Sequence, residues 1–220
     1  MKIALLGKGK TGSKVLENKT HQIVAFDSIN PPTFEKLKSF DLIISFLPGE
    51  VFKNFISLLI ETKLPVVTGS TGFDWPENFD QKLKEKNLSW IYATNFSLGM
   101  ALVKQILEKL SQAKKIFPTH QISIHEVHHL QKKDAPSGTA LSMEKWIGEK
   151  CHITSERTGD VIGQHELKFE TASEKITIAH EALDRKLFAD GAIWSAEFLF
   201  ENKIIGLNNF NEIVEKEFNF

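Results

Sequence analysis

The sequence predicts an α/β fold, a doubly wound parallel sheet joined to a second, α+β domain. Three observations predict it. An apolar run at residues 2–6 leads through "GKGKTG" into a helix-forming stretch, and short apolar strands then alternate with helical segments up to residue 93. Beyond residue 98 the strands instead alternate apolar and polar residues, the pattern of a sheet with one face to cover.

Residues 2–6 form the first strand, and Gly7, Gly9 and Gly12 follow in the spacing G-x-G-x-x-G before a helix over 11–17. Glycine lets the chain turn tightly and lets backbone N–H groups approach a pyrophosphate, whose charge a helix N-terminus favours. A second strand at 22–26 ends at Asp27, twenty residues after Gly7 (27 − 7), where a carboxylate can accept hydrogen bonds from adenosine ribose hydroxyls. A turn that merely reverses the chain needs neither the flanking strand and helix nor the acid, so the combination argues for a dinucleotide site. Asp27 should repel a 2′-phosphate, and Ser28 after it is neutral. The expectation is NADH preferred, with NADPH tolerated because Lys8 and Lys10 can offset the Asp27 charge.

The alternation continues with a strand at 41–46, a helix at 51–61, a strand at 65–69, a polar helix at 76–86 and a strand at 90–93. Ligands of such sheets bind beyond the carboxyl ends of the strands, so the turns "LPGE", "GSTGF" and "TNFS" should face the cofactor. The connection from 27 to 41 is too short for another full helix-and-strand unit.

A helix over 98–110, apolar at 102, 103, 106, 107 and 110, follows the last of these strands, and the hinge is placed just before it. "HQISIHEVHH", "HELKFET" and "EKITIAHEAL" are the alternating strands, and "ALSMEKWIG" is a helix. Residues 190–215 read as a helix that returns toward the first domain, followed by an irregular end. The predicted division is a dinucleotide-binding domain of residues 1–97 plus 198–220, and a substrate-binding and oligomerisation domain of 98–197. The open face of the second sheet requires cover, which self-association would supply.

"HHLQKKDAPSGTA", residues 128–140, carries the chemistry. Ser137, Gly138 and Thr139 precede a helix whose free N–H groups, with two hydroxyls, make a receptor for a carboxylate. Lys132, His128 and His129 add positive charge and transferable protons. A core or surface histidine pair with no chemical part is the plainer alternative. No metal is expected: His125 and His128 are three apart and point to different faces of a strand, no cysteine set accompanies them, and the spacing is not that of His-Glu-x-x-His.

Composition narrows the partners. Lys and Arg total 27 against 28 Asp and Glu, so there is no basic field for nucleic acid. The single cysteine, Cys151, makes no internal disulfide. The N-terminal apolar run is too short for a signal peptide, and no stretch reaches membrane length. A soluble, cytoplasmic protein is expected.

The segment "EVHHLQKKDAPSGTA" resembles the signature of 4-hydroxy-tetrahydrodipicolinate reductases, also called dihydrodipicolinate reductases. "GKGKTG", "GSTGF", "TNFSLGM", "RTGDVIGQHELKF" and "FADGAIWSA" extend the likeness, in order, over nearly the whole chain. The resemblance implies a Rossmann-type domain completed by the C-terminal tail, and a substrate domain that mediates a homotetramer. It implies hydride transfer from NADH or NADPH to C4 of a cyclic dicarboxylate, giving tetrahydrodipicolinate in lysine and diaminopimelate biosynthesis. His128 and Lys132 match the catalytic pair, and His129, Gly138 and Thr139, with Ser137 beside them, match contacts to the substrate carboxylates. Gly7, Lys8, Gly9, Lys10, Thr11, Gly12, Asp27, Gly69, Ser70, Thr71, Ala93, Thr94, Asn95 and Phe96 match cofactor contacts.

On this reading Lys132 is the general acid and His128 supports it or stabilises charge, although the sequence leaves open which of the two gives the proton. Three departures touch the cofactor region: the short 27–41 connection, "SFLP" at 45–48 where Asp-Phe-Thr or Asp-Phe-Ser is usual, and Lys10-Thr11 where Arg-Met is frequent. A related NAD(P)-dependent dehydrogenase of another small amino or imino acid, and a non-catalytic cofactor sensor, are the alternatives. The union of His128, Lys132 and the anion cradle counts against both.

Overall fold

The computed structural model describes residues 1–217. The first part of the chain runs β1 (Lys2–Leu6), α1 (Gly12–Val15), β2 (Gln22–Phe26), α2 (Phe34–Leu37), β3 (Leu42–Ser45), α3 (Gly49–Lys53), α4 (Ile56–Thr62), β4 (Val66–Thr68), α5 (Phe79–Glu85) and β5 (Ser89–Tyr92). Then come α6 (Leu98–Ala113), β6 (Gln121–His128), α7 (Gly138–Ile147), β7 (His152–Arg157), β8 (Gly163–Glu170) and β9 (Lys175–Ala182). The chain closes with α8 (Lys186–Glu201), β10 (Gly206–Asn209) and α9 (Phe210–Glu217). Among these residues no helix is long and apolar enough to cross a membrane.

Two compact units result, one of residues 1–97 with residues 185–217, the other of residues 98–184. The second boundary departs from the predicted 197/198. Helix α8 packs on α1 and on β3, β4 and β5 of the first unit. Gly191 permits the approach, since a Cβ there would lie 1.8 Å from the Phe96 carbonyl oxygen. Residues 218–220 of the predicted division lie outside the described residues.

In the first unit six strands pair in the order β10-β5-β4-β3-β1-β2, all parallel. β1, β3 and β4 are covered on both faces and so read as unbroken apolar runs. Because every strand points the same way, the loops after β1 to β5 share one edge of the sheet. Under the sheet, Phe52, Phe79 and Trp90 form an aromatic core with Trp75 stacked on Phe79 at 5.1 Å.

Three expectations for this unit change. The helix predicted over 51–61 is two helices broken at Asn54 and Phe55, although Phe52, Ile56, Leu59 and Ile60 still reach one core. The helix over 11–17 shrinks to the single turn of α1. The irregular end becomes β10 and α9. Gly206 and Leu207 open β10 alongside β5, with the Leu207 N–H donating to Asp80 Oδ1 at 2.8 Å.

The second unit is a four-stranded sheet, β7-β6-β8-β9, with β7 parallel to β6 and the other pairs antiparallel. The alternating burial along β8 assigns Leu167 and Phe169 to the core side, where α6 and α7 supply Met100, Val103, Leu107, Met143 and Ile147. This is the predicted α+β pattern of one covered face.

Candidate active site

The glycine turn is held by its own backbone. Gly7 adopts φ +95°, a left-handed conformation that L side chains avoid, and its N–H donates to Phe26 O at 3.1 Å. Gly12 sits so close that a Cβ would fall 2.0 Å from Gly7 O. Both glycines are therefore required for the turn. The fit to a pyrophosphate rests on what the turn leaves open: the N–H groups of Lys8, Gly9, Lys10 and Thr11 have no acceptor among the described residues, and nothing lies within 4 Å of a Cβ at Gly9. With α1 only one turn long, these loop N–H groups rather than a helix dipole must supply most of the attraction.

Asp27 caps the end of β2. Its Oδ1 accepts the Ile29 and Asn30 N–H groups at 2.9 Å each, and its Oδ2 lies 2.6 Å from Lys8 Nζ. The bond from Lys8, reinforced by those backbone donors, holds the carboxyl at about 2. Lys8 thus meets the acid as the sequence suggested. No contact from Lys10 to Asp27 is formed among the described residues.

The remaining loops collect at the same edge. Ser70 is buried, with its N–H on Thr68 Oγ1 at 3.1 Å and its hydroxyl 3.3 Å from Ser45 Oγ. Gly69 is tight against the Phe46 ring, and Thr71 is exposed. Ala93 is buried, Thr94 exposed, and Asn95 accepts the Ser97 N–H at 2.8 Å. Phe96 is 1% exposed and packs between Phe46 and Phe210, so its ring is core and only its backbone remains for a ligand.

In the second unit, β6 delivers the histidines. His128 and Glu126 are two residues apart on a strand and so share its inner face, whereas His125 projects to the other side and pairs with Thr154 Oγ1 at 2.8 Å. Glu126 is fully buried. Its Oε1 accepts Arg157 Nη2 at 2.9 Å and the Ser137 N–H at 3.2 Å, and its Oε2 stands 2.7 Å from His128 Nδ1 and 4.0 Å from His165 Nε2. Burial pushes this carboxyl up, but the bonds from Ser137, Ser155 and Arg157 prevail and hold it at about 2. Burial depresses His128, against the pull of Glu126 and with the repulsion of Lys132 and Arg157. His165 is pushed down to about 4 by burial and by His128.

Ser137 caps α7: its Oγ accepts the Ala140 N–H at 3.2 Å and lies 3.1 Å from His165 Nε2. Gly138 is exposed, and Thr139 and His129 are half-buried. Lys132 reaches Asp134, with Nζ 2.8 Å from Oδ1 and 2.9 Å from Oδ2. That bond, joined by the Gly138 N–H, lowers the Asp134 carboxyl. A carboxylate is therefore already held by the Lys132 ammonium, a few residues before the first turn of α7. Gly163 lies against His128, where a Cβ would come 3.0 Å from Nε2.

Glu126, Arg157 and His165 were not singled out in the sequence. The signal for Glu126 was present, as an acid two residues before His128 on a strand. Its partners arrive by register, His165 directly opposite Glu126 on β8 and Arg157 opposite His128 on β7. Glu126, His128 and His165 also gather metal-ligand atoms within 4.8 Å of one another, with the Arg157 guanidinium already on the carboxylate.

Two family models match the chain, "Dihydrodipicolinate reductase, N-terminus" over residues 1–96 and "Dihydrodipicolinate reductase, C-terminus" over 99–214. A 4-hydroxy-tetrahydrodipicolinate reductase of Christiangramia forsetii is 34% identical over 224 residues, covering 90% of this chain and 92% of that one. One of Buchnera aphidicola is 31% identical over 235 residues, covering 93% and 85%. The dipicolinate-bound dihydrodipicolinate reductase from Paenisporosarcina sp. TG-14 shares the fold with a TM-score of 0.75 at 24% identity, covering 95% of this chain and 97% of that one. For an aspartate dehydrogenase from Thermotoga maritima the TM-score is 0.52 at 13% identity, a likeness of fold alone.

Proposed function

The chain belongs to the dihydrodipicolinate reductase family, and from that premise we propose that it reduces 4-hydroxy-tetrahydrodipicolinate to tetrahydrodipicolinate, in lysine and diaminopimelate biosynthesis. The observation that carries the substrate class is the Lys132–Asp134 contact. Lys132 Nζ already binds a carboxylate, that of Asp134, four residues before the first turn of α7. A substrate carboxylate would use the same donor, joined by Thr139, Ser137 and His129.

A reduced nicotinamide supplies the hydride when bound. The open N–H groups of residues 8–11, Asp27 and the loops of residues 69–71 and 93–96 would hold it, and Asp27 favours a free ribose hydroxyl, hence NADH over NADPH. The C4 hydroxyl leaves as water to give a conjugated imine; once hydride has added at C4, Lys132 gives a proton to the neighbouring ring carbon of the resulting enamine, and His128, beside a carboxylate, supports the charge. We read the Glu126, His128 and His165 cluster as a proton network without a resident metal, because Arg157 already neutralises its one carboxylate. Residues 1–97 with the C-terminal return would serve the cofactor, and the second unit the substrate and a homotetramer, in the cytoplasm.

The test is absorbance of reduced nicotinamide with purified protein and substrate generated in place by condensing pyruvate with aspartate semialdehyde. Substrate-dependent oxidation supports the reading. None with either cofactor, from protein that binds a dinucleotide, overturns it and favours the sensor.

A further inference from the structure

We propose that Glu126 is a positioning residue for the reaction, one buried carboxylate that fixes the His128 imidazole through Oε2 and the mouth of the anion cradle through Oε1. The inference rests on the proposed reductase reading and deepens it by a residue that touches neither substrate nor cofactor.

The geometry begins with strand periodicity. Glu126 and His128 share the inner face of β6, so the acid necessarily lies beside the ring. A fully buried carboxylate without partners would take up a proton and lose its charge. This one keeps its charge because Arg157 Nη2 and the Ser137 N–H donate to Oε1 at 2.9 and 3.2 Å. Oε2 is left for the imidazole. Although it stands 2.7 Å from Nδ1, the pair lacks the alignment of a hydrogen bond, so the contact acts through charge. It therefore strengthens when the ring gains a proton.

The Ser137 bond adds the second function. Ser137 is the cap residue of α7, whose first turn carries Gly138 and Thr139, and its N–H is anchored by the same carboxylate that faces His128. The distance between proton-bearing ring and carboxylate receptor is thus set by one side chain. A neutral glutamine could replace its packing but not its charge.

The groups facing His128 all bear on the sign. Glu126 favours the imidazolium, and Asp134 from the following loop does so too. Lys132 and Arg157 oppose it, and His165 on β8, itself influenced by His180 on β9, competes for the same proton. Removing the Glu126 charge leaves burial and the two cations dominant, so His128 must titrate at a lower pH.

The experiment compares native protein, Glu126→Gln and Glu126→Asp by histidine-ring NMR over pH, with kcat and KM measured in parallel. Expected for folded Glu126→Gln are a lower His128 midpoint, kcat reduced at least about tenfold and a raised substrate KM, with dinucleotide affinity unchanged. Glu126→Asp should restore part of the midpoint and of kcat. An unmoved or raised midpoint in folded Glu126→Gln overturns the proposal. Should that variant not fold, ring nitrogen shifts of the native protein decide: a proton on Nδ1, toward Glu126, supports it, and a neutral ring with its proton only on Nε2 overturns it. The NMR readout needs no turnover, so an inactive native enzyme would sink the reductase reading and leave this result standing.

Discussion

Lys8 Nζ lies 2.6 Å from Asp27 Oδ2, tying the glycine turn after β1 to the acid at the end of β2. The acid proposed to exclude a 2′-phosphate thereby has its charge partly cancelled by a residue of the glycine turn itself. Lys8→Ala should raise KM for NADPH more than for NADH, increasing the preference for NADH a few-fold. Steady-state kinetics with both cofactors measure it, and an unchanged or reversed ratio would show that Lys8 does not moderate Asp27.

Lys132 is the ammonium that already grips a carboxylate, that of Asp134. Its removal deletes both the proposed substrate contact and the proposed acid. Lys132→Ala should lower kcat by about 10²- to 10⁴-fold, the usual worth of a positioned proton donor, and leave dinucleotide binding intact. Fluorescence titration of the nicotinamide beside the activity assay separates the two effects. Full turnover would transfer the acid role to His128.

Much of this arrangement was legible in the sequence because it follows from spacing. G-x-G-x-x-G placed the turn, counting to Asp27 placed an acid at the end of β2, and Ser137 stood where a helix must be capped. What stayed hidden has physical reasons. β7 is largely exposed and adds to an edge, so "HITSER" lacks the alternation that marks a half-buried strand. Arg157 comes with β7 and was hidden with it. β10 is four mostly polar residues held by a backbone ladder, which leaves no side-chain signature. The break between α3 and α4 keeps Phe52 and Ile56 facing one core, and a turn that preserves the apolar phase is invisible to periodicity.

The Glu126, His128 and His165 cluster has ligand-type atoms within 4.8 Å, yet Arg157 Nη2 stands 2.9 Å from the same carboxylate. A divalent ion there would have to compete with that guanidinium. Extended dialysis against EDTA should leave kcat and KM unchanged. Loss of activity restored by zinc would make the cluster a metal site.

Gly163 leaves the space that the His128 ring uses. A Cβ would approach Nε2 to 3.0 Å and Cδ2 to 3.3 Å, so Gly163→Ala must tilt the imidazole by a few tenths of an ångström. Misplacement on that scale should cost about tenfold in kcat, with a smaller change in KM because the α7 cradle is untouched. Equal kcat for variant and native protein would mean that the ring orientation is not critical.

His165 should make the fold sensitive to acid. Burial and His128 set its folded pKa at about 4, against an ordinary 6.5. Between those values the unfolded chain binds a proton that the folded chain refuses, so stability falls as pH drops through the window. At about 1.4 kcal/mol per pKa unit, the loss is on the order of 3 kcal/mol once pH is below both values. Glu126 acts further down: its carboxyl, ordinarily at 4.5, is held at about 2, so the stability it gives above 4.5 is lost toward pH 2. Thermal melts from pH 8 to pH 4 should therefore show a falling Tm for the native protein. His165→Gln, which can still meet Ser137 Oγ, should show a shallower fall. Parallel curves would place the acid sensitivity elsewhere, with His128 and the half-buried His180 the next groups to replace.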